Sequence, residues 1–118
     1  MAFSQILSVV AVSELERSAE WYERLIGEPP TNVPMPGILA EWRITSQGWV
    51  QVTVDESRAG TSQLNLAVGD LEDAIRQIEA RGVAVGEVQH ANKGVVLAPV
   101  SDPDGNVVTL IGGFREEY

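Results

Sequence analysis

The chain repeats one order of predicted elements twice, and this duplication constrains its fold more than any other feature. Each half predicts a strand, an amphipathic helix and three further strands. Equivalent residues are offset by 56 positions, as Val12 and Val68 or Leu15 and Leu71 show. Repetition of this kind indicates two copies of one structural unit. We therefore predict an α+β fold of two βαβββ modules in tandem, over residues 1–57 and 58–118, within a single domain.

The first module is predicted from its hydrophobic pattern and its turn residues. Ile6–Val12 is apolar and strand-like, and Ser13 with Glu16 forms the capping-box pattern that begins a helix. Apolar residues then recur at helical spacing until Gly27, a typical C-terminal cap. The proline-rich segment 28–37 indicates a loop with at most an edge strand. Two more strands are predicted at 38–45 and 49–54.

The second module follows the same order and ends in a β-hairpin. Its helix is expected to begin near Asp70 and to end at Gly82. In the hairpin turn, Pro103 presets one φ and Gly105 supplies a positive φ. Strands are predicted at 63–68, 83–88, 95–100 and 107–111, and a polar loop at 89–94.

Composition excludes several function classes. The chain has no cysteine, so disulfides, thiolate metal sites and a cysteine nucleophile are impossible. Eight basic against seventeen acidic residues give a net charge of −9, which argues against nucleic acid or an anionic membrane as partner. No segment has the pattern of a membrane span or of a signal peptide. We therefore expect a cytoplasmic location.

Three segments carry a resemblance to a known superfamily. They are Val12-Ser13-Glu14-Leu15-Glu16-Arg17-Ser18 with Trp21-Tyr22 and Leu25-Ile26-Gly27, then Val68-Gly69-Asp70-Leu71, then Asp102-Pro103-Asp104-Gly105-Asn106. In this order and spacing they resemble the vicinal oxygen chelate superfamily, also called the glyoxalase/bleomycin-resistance/dioxygenase fold. The resemblance covers nearly the whole chain. It implies sheets that curve around a cavity with the helices outside, and a homodimer.

The resemblance also places four metal-ligand positions, which carry His, Glu or Gln in metal-using members. Here they fall on Leu7, Gln51, Gln63 and Thr109. Leu7 has no donor atom and Thr109 is a poor neutral ligand, whereas transition metals prefer nitrogen or carboxylate donors. We therefore expect neither a metal nor another cofactor.

Strand alternation predicts which side chains share the cavity. The expected ligand-binding set is Leu7, Val9, Trp49, Gln51, Gln63, Asn65, Val107 and Thr109. It mixes amides, a hydroxyl, an indole and small apolar groups, which is typical of a small-molecule pocket. The residues between them, such as Val50 and Leu64, should face the helices.

The pattern leaves alternatives open for the placement of four further residues. Packing of Trp42 under the helix would direct Glu41 and Arg43 toward the cavity, where Arg43 could hold an anionic group; a solvated edge is the alternative. His90 is the only imidazole and is predicted in a loop, either exposed to solvent or at the cavity mouth.

Three functions remain open. The first is a metal-free protein that sequesters a drug or a metabolite, as in antibiotic resistance, with a cationic or aromatic ligand favoured by the acidic charge and the indole. The second is a lyase, isomerase or dioxygenase-like enzyme of the same superfamily, with His90 or Glu41 as general base. The third is a structural module that uses the fold only for association. The first accounts best for the missing metal ligands.

Overall fold

The computed structural model describes residues 1–118, which form eight strands and two helices. In chain order these are β1 (Ile6–Val12), α1 (Leu15–Ile26), β2 (Asn32–Met35), β3 (Leu39–Arg43), β4 (Gly48–Val54), β5 (Gln63–Val68), α2 (Leu71–Ala80), β6 (Gln89–His90), β7 (Val96–Ser101) and β8 (Val107–Gly112). Neither helix is long and apolar enough to cross a membrane.

The two modules have one topology. The first sheet has the strand order β1-β4-β3-β2 and the second has the order β5-β8-β7-β6. In each, the first strand pairs in parallel with the last strand of its module, while the other pairs are antiparallel. The predicted α+β fold of two tandem modules is confirmed, and the sheets are not closed into a barrel.

One hydrophobic core lies between the helices and the sheets and takes residues from both modules. Tyr22 and Leu25 of α1, Trp42 of β3, Ile78 of α2 and Leu110 of β8 all belong to it. Trp42 is only 1% exposed, and its indole Nε1 donates a hydrogen bond of 2.9 Å to the carbonyl of Glu28. Its one polar atom is therefore satisfied in the interior, as buried tryptophan requires.

The turn between β7 and β8 joins the two modules through side-chain hydrogen bonds. Asn106 Nδ2 donates to the carbonyl of Ala11 in β1 at 2.8 Å, and its Oδ1 accepts from the backbone of Ser62 at 2.8 Å. Asp104 accepts from the backbone N–H and the hydroxyl of Ser13 at 3.0 and 2.5 Å. We call the side chains of Asp102, Asp104 and Asn106 the inter-module tie.

The start of α1 differs from the capping box expected at Ser13 and Glu16. The N-cap residue is Glu14, which makes no side-chain cap bond. Ser13 lies one residue before the N-cap, and its hydroxyl donates to Asp104 and accepts from Arg17 at 3.3 Å instead of capping the helix. The competing contact comes from 91 residues away, beyond the reach of a local pattern.

The segment between α2 and β7 is the other departure. No strand forms at 83–88, and Gln89 and His90, expected in a loop, form β6 beside β7. Gly86 donates one backbone bond to the carbonyl of Pro99 at 2.7 Å. Because proline has no backbone N–H, Pro99 cannot donate a hydrogen bond back to this segment, and the ladder of backbone bonds does not continue there.

Candidate functional site

All eight side chains predicted to bind a ligand lie on one side of the two sheets, away from the helices; we call this side the open face. The strand register pairs Leu7 with Trp49, Val9 with Gln51, Gln63 with Val107, and Asn65 with Thr109. The residues that alternate with them are buried under the helices, among them Val10, Val50, Val52, Leu64 and Val108. The predicted alternation therefore describes both sheets.

On the first sheet, Glu41 organises the polar part of the open face. Its carboxylate accepts from Gln51 Nε2 at 3.1 Å and from Asn32 Nδ2 at 3.2 Å. Because Glu41 pairs with Gln51 in the β3–β4 register, the two side chains project from the same face. The bond from Nε2 orients the Gln51 amide and leaves its carbonyl oxygen free to accept a hydrogen bond from a ligand.

The indole of Trp49 projects from the same face as Gln51, two residues away on β4. Its Nε1 donates to Gln5 Oε1 at 2.9 Å, and the guanidinium carbon of Arg43 lies 5.9 Å from the ring centre. Trp49 is half-buried, so part of its ring faces solvent. Arg43 therefore lies on the open face, as packing of Trp42 under the helix requires.

On the second sheet the amides are free. Gln63 and Asn65 are exposed, and neither side chain has a hydrogen-bond partner within the chain. Thr109 is half-buried between Asn65 and Pro99, and its hydroxyl is also unpaired. These three side chains offer donors and acceptors that a ligand can use.

The open face is not enclosed within one chain. Leu7 is 49% exposed and Val9 is 57% exposed, both on the edge strand β1. A cavity of about 230 Å³ between the two sheets includes Trp49 and Asn65 of the set. The remaining six residues of the set line no cavity.

The four positions where metal-using relatives carry ligands do not fit a metal. They present an aliphatic side chain at Leu7, two neutral amides at Gln51 and Gln63, and the hydroxyl of Thr109. Nowhere in the chain do three His, Cys, Asp or Glu side chains come close enough to hold an ion. Neutral oxygens alone are weak ligands for transition metals.

His90 lies on the opposite side of the second sheet. It pairs with Val96, which pairs with Gly112, and all three face the helix side. There they line a cavity of about 560 Å³ beside the first turn of α2. Sequence reasoning missed this cavity, because it ended the last strand at 111 and placed His90 in a loop, whereas β8 extends to Gly112 and His90 lies in β6.

A family comparison agrees with this geometry. The model of the glyoxalase-like domain matches residues 8–111. The chain belongs to the glyoxalase-like domain family. A comparison with curated proteins finds no match.

Solved structures of glyoxalase-like proteins share the fold over almost the whole chain. A glyoxalase/bleomycin resistance protein from Catenulispora acidiphila DSM 44928 is 24% identical, with 93% of this chain and 98% of that chain covered and a TM-score of 0.86. TnmS3, an antibiotic binding protein from Streptomyces sp. CB03234, is 25% identical, with 95% and 98% covered and a TM-score of 0.78. A lactoylglutathione lyase from Agrobacterium tumefaciens is 14% identical, with 92% of each chain covered and a TM-score of 0.77.

Proposed function

We propose that this glyoxalase-like protein binds a small organic molecule on the open face without a metal, and that it sequesters a drug or a metabolite in the cytoplasm. The observation that carries the proposal is that Leu7 and Thr109 depart from the family's metal-ligand pattern, on a face that still projects a coherent set of side chains. The amides of Gln51, Gln63 and Asn65 and the indole of Trp49 can orient an organic molecule. They cannot activate a metal-bound water.

The similarity to TnmS3 supports a binding rather than a catalytic role. That protein is an antibiotic binding protein of the same fold, and it covers nearly the whole of this chain. The similarity to the lyase is lower in sequence identity and concerns the fold alone. His90, the only imidazole, faces the other side of the sheet and is therefore not placed to act as a base at the open face.

The charge of the protein favours a cationic or aromatic ligand. The net charge of −9 attracts cations by long-range steering. At the face itself, the carboxylate of Glu41 and the ring of Trp49 suit a flat ligand that carries a positive charge, since aromatic faces attract cations.

We further propose that a second copy of the chain closes the site. Leu7 and Val9 present apolar surface on the open face, where they are 49% and 57% exposed. Covering such a patch removes apolar area from water at about 25 cal/mol for each Å². A homodimer would thereby turn the shallow open face into an enclosed pocket.

Thermal-shift screening of metal-free protein against aromatic antibiotics, with bleomycin among them, tests the proposal. We expect at least one compound at about 100 times its Kd to raise the Tm by about 5 °C or more, since ligand binding adds its free energy to folding. The shift should vanish in the double variant Trp49→Phe/Asn65→Leu and persist in the control Trp21→Phe, whose ring is on α1.

Two results would overturn the proposal. One is the absence of any compound whose shift depends on Trp49 and Asn65. The other is a stoichiometric transition metal in native mass spectra, removed by chelator together with a catalytic activity, which would establish the enzyme alternative.

A further inference from the structure

The cavity of about 560 Å³ beside α2 is separate from the open face. Its walls are the first turn of α2 and the helix side of β6, β7 and β8, with His90, Val96 and Gly112 in adjacent strands. Side chains on the two sides of a sheet cannot reach the same ligand. Any function of this cavity is therefore additional to the proposed function.

The two modules differ at the strand position that faces the start of the helix. Gly112 pairs with Val68 as Val54 pairs with Val12, so the two positions are equivalent in the duplication. Val54 fills its space and packs against the core. Gly112 instead allows α2 to pack closely on β8, because a Cβ there would lie only 3.1 Å from Leu71 Cβ. No cavity is lined by the first turn of α1.

The lining combines free acidic groups with apolar walls. Asp70 uses Oδ1 to cap α2 by accepting from the backbone of Asp73 at 3.0 Å, which leaves Oδ2 free. Glu72 and His90 have no hydrogen-bond or ion-pair partner in the chain, and no basic residue lines the cavity. Val88 contributes exposed apolar surface.

The guanidinium groups of Arg115 and Arg76 are engaged in other contacts. The guanidinium of Arg115 donates to the carbonyls of Gly113 and Lys93 at 2.9 and 2.8 Å and lies over the ring of Tyr118. Arg76 pairs with Asp73 at 3.3 Å. The two carboxylates in the cavity are therefore not neutralised by a side chain of the protein.

We propose that this cavity is a second binding site, for a small organic cation with an apolar body. An ammonium group would contact the carboxylates of Glu72 and Asp70 and donate to the imidazole of His90. The apolar body would lie against Val88 and Val96. The cavity volume falls in the range of small-molecule pockets, which is roughly 300 to 1,000 Å³.

Three probes with one ring system and different charge test the proposal: 1-naphthylmethylamine as its ammonium ion, 1-naphthalenemethanol, and 1-naphthoate. The untagged protein has one histidine, so its ring gives a single set of NMR signals. We expect the ammonium ion to shift the His90 ring signal and the amide signals of Gly94, Gly112 and Gly113 in a saturable way. The side-chain amide signals of Gln63 and Asn65 on the open face should not move.

Charge-removing variants supply the second measurement. Asp70→Asn/Glu72→Gln keeps the shape of both side chains and the N-cap, because asparagine caps as well as aspartate. We expect this double variant to bind the ammonium probe about fivefold more weakly, with the affinity that the wild type has for the alcohol. The effect is modest because exposed charge contacts contribute little individually. Glu79→Gln, on the far end of the same helix, is the matched control and should leave the affinity unchanged.

Three results would overturn the second site. Naphthoate could bind as tightly as the ammonium ion, which would show that the partial positive charge at the N-terminus of α2 offsets the carboxylates. The shifts could appear on Gln63 and Asn65 instead, which would assign the probe to the open face and leave the proposed function standing. The third is no saturable shift of the His90 signal at millimolar probe.

Discussion

The hydroxyl of Tyr22 in α1 donates a hydrogen bond of 2.8 Å to the carboxylate of Asp102, 80 residues further along the chain. Both side chains are buried, and Asp102 also accepts from the backbones of Asp104 and Asn106 at 2.9 Å. Burial, and then the negative charge and hydrogen bond of Asp102, raise the pKa of the Tyr22 phenol far above its usual value. The phenol therefore stays protonated and remains a donor wherever the protein is folded.

Removing that donor should lower stability without touching the open face. Tyr22→Phe leaves the buried carboxylate of Asp102 one hydrogen bond short. We expect a loss of about 2 kcal/mol, or about 8 °C in Tm, because bonds to charged groups exceed the average. Calorimetry of the variant beside Tyr118→Phe, which changes an exposed phenol, measures the difference. Equal Tm values for the two variants would refute a stabilising role for the bond.

Asn106 should be the most sensitive position of the inter-module tie. In Asn106→Asp the donor to the carbonyl of Ala11 is lost, and a second carboxylate lies where the amide contacted Asp102 at 2.7 Å. We expect a loss of about 3 kcal/mol or more, as for other uncompensated buried charges. Urea unfolding at neutral pH gives the value, and Asn92→Asp in an exposed loop is the control. A loss as small as that of the control would show that the tie contributes little.

Asp104 should make the free energy of unfolding depend on pH. Burial opposes its ionisation, but the hydrogen bonds from Ser13 and the charge of Arg17 outweigh that effect and lower the pKa of the Asp104 carboxyl. Because the pKa is lower in the folded state than in the unfolded state, ionised Asp104 stabilises the fold. This stabilisation is complete above the ordinary aspartate pKa of about 3.9 and is lost as the pH falls through the pKa of the folded state. The Tm advantage of the wild type over Asp104→Asn should be constant between about pH 6 and 8 and shrink below about pH 4. An advantage that grows on acidification would contradict this sign.

The proposed homodimer predicts that one charge on the open face disrupts association. Val9→Asp would bring two carboxylates into the apolar centre of the interface, where charge is costly to bury. We expect the wild type to elute as a dimer in size-exclusion chromatography with light scattering, and the variant as a monomer. Ala84→Asp, an exposed change on the helix side, should stay dimeric. Dimers of unchanged stability in Val9→Asp would place the interface elsewhere.

Sequence reasoning predicted what depends on local pattern and on repetition. The bounds of β1 and the alternation that separates Trp42 from Glu41 followed from spacing alone. Three features escaped it because each depends on a distant residue. Ser13 binds Asp104 and lies outside the helix cap, Pro99 interrupts the ladder beside β7, and the cavity beside α2 brings together residues of α2, β6, β7 and β8.

The inter-module tie is made once, although the fold has two equivalent junctions. Asp104 binds Ser13 at the end of β1, but the residue equivalent to Ser13 in the second module is Gly69, which has no side chain to offer. At that other junction the chain instead leaves two apolar cavities of about 230 Å³ each, which share Ile44, Leu66 and Ala67. In a pair of identical single modules, every contact would occur twice by symmetry. An inter-module tie present at only one junction therefore requires two modules of different sequence, as in this chain, where Ser13 and Gly69 occupy equivalent positions.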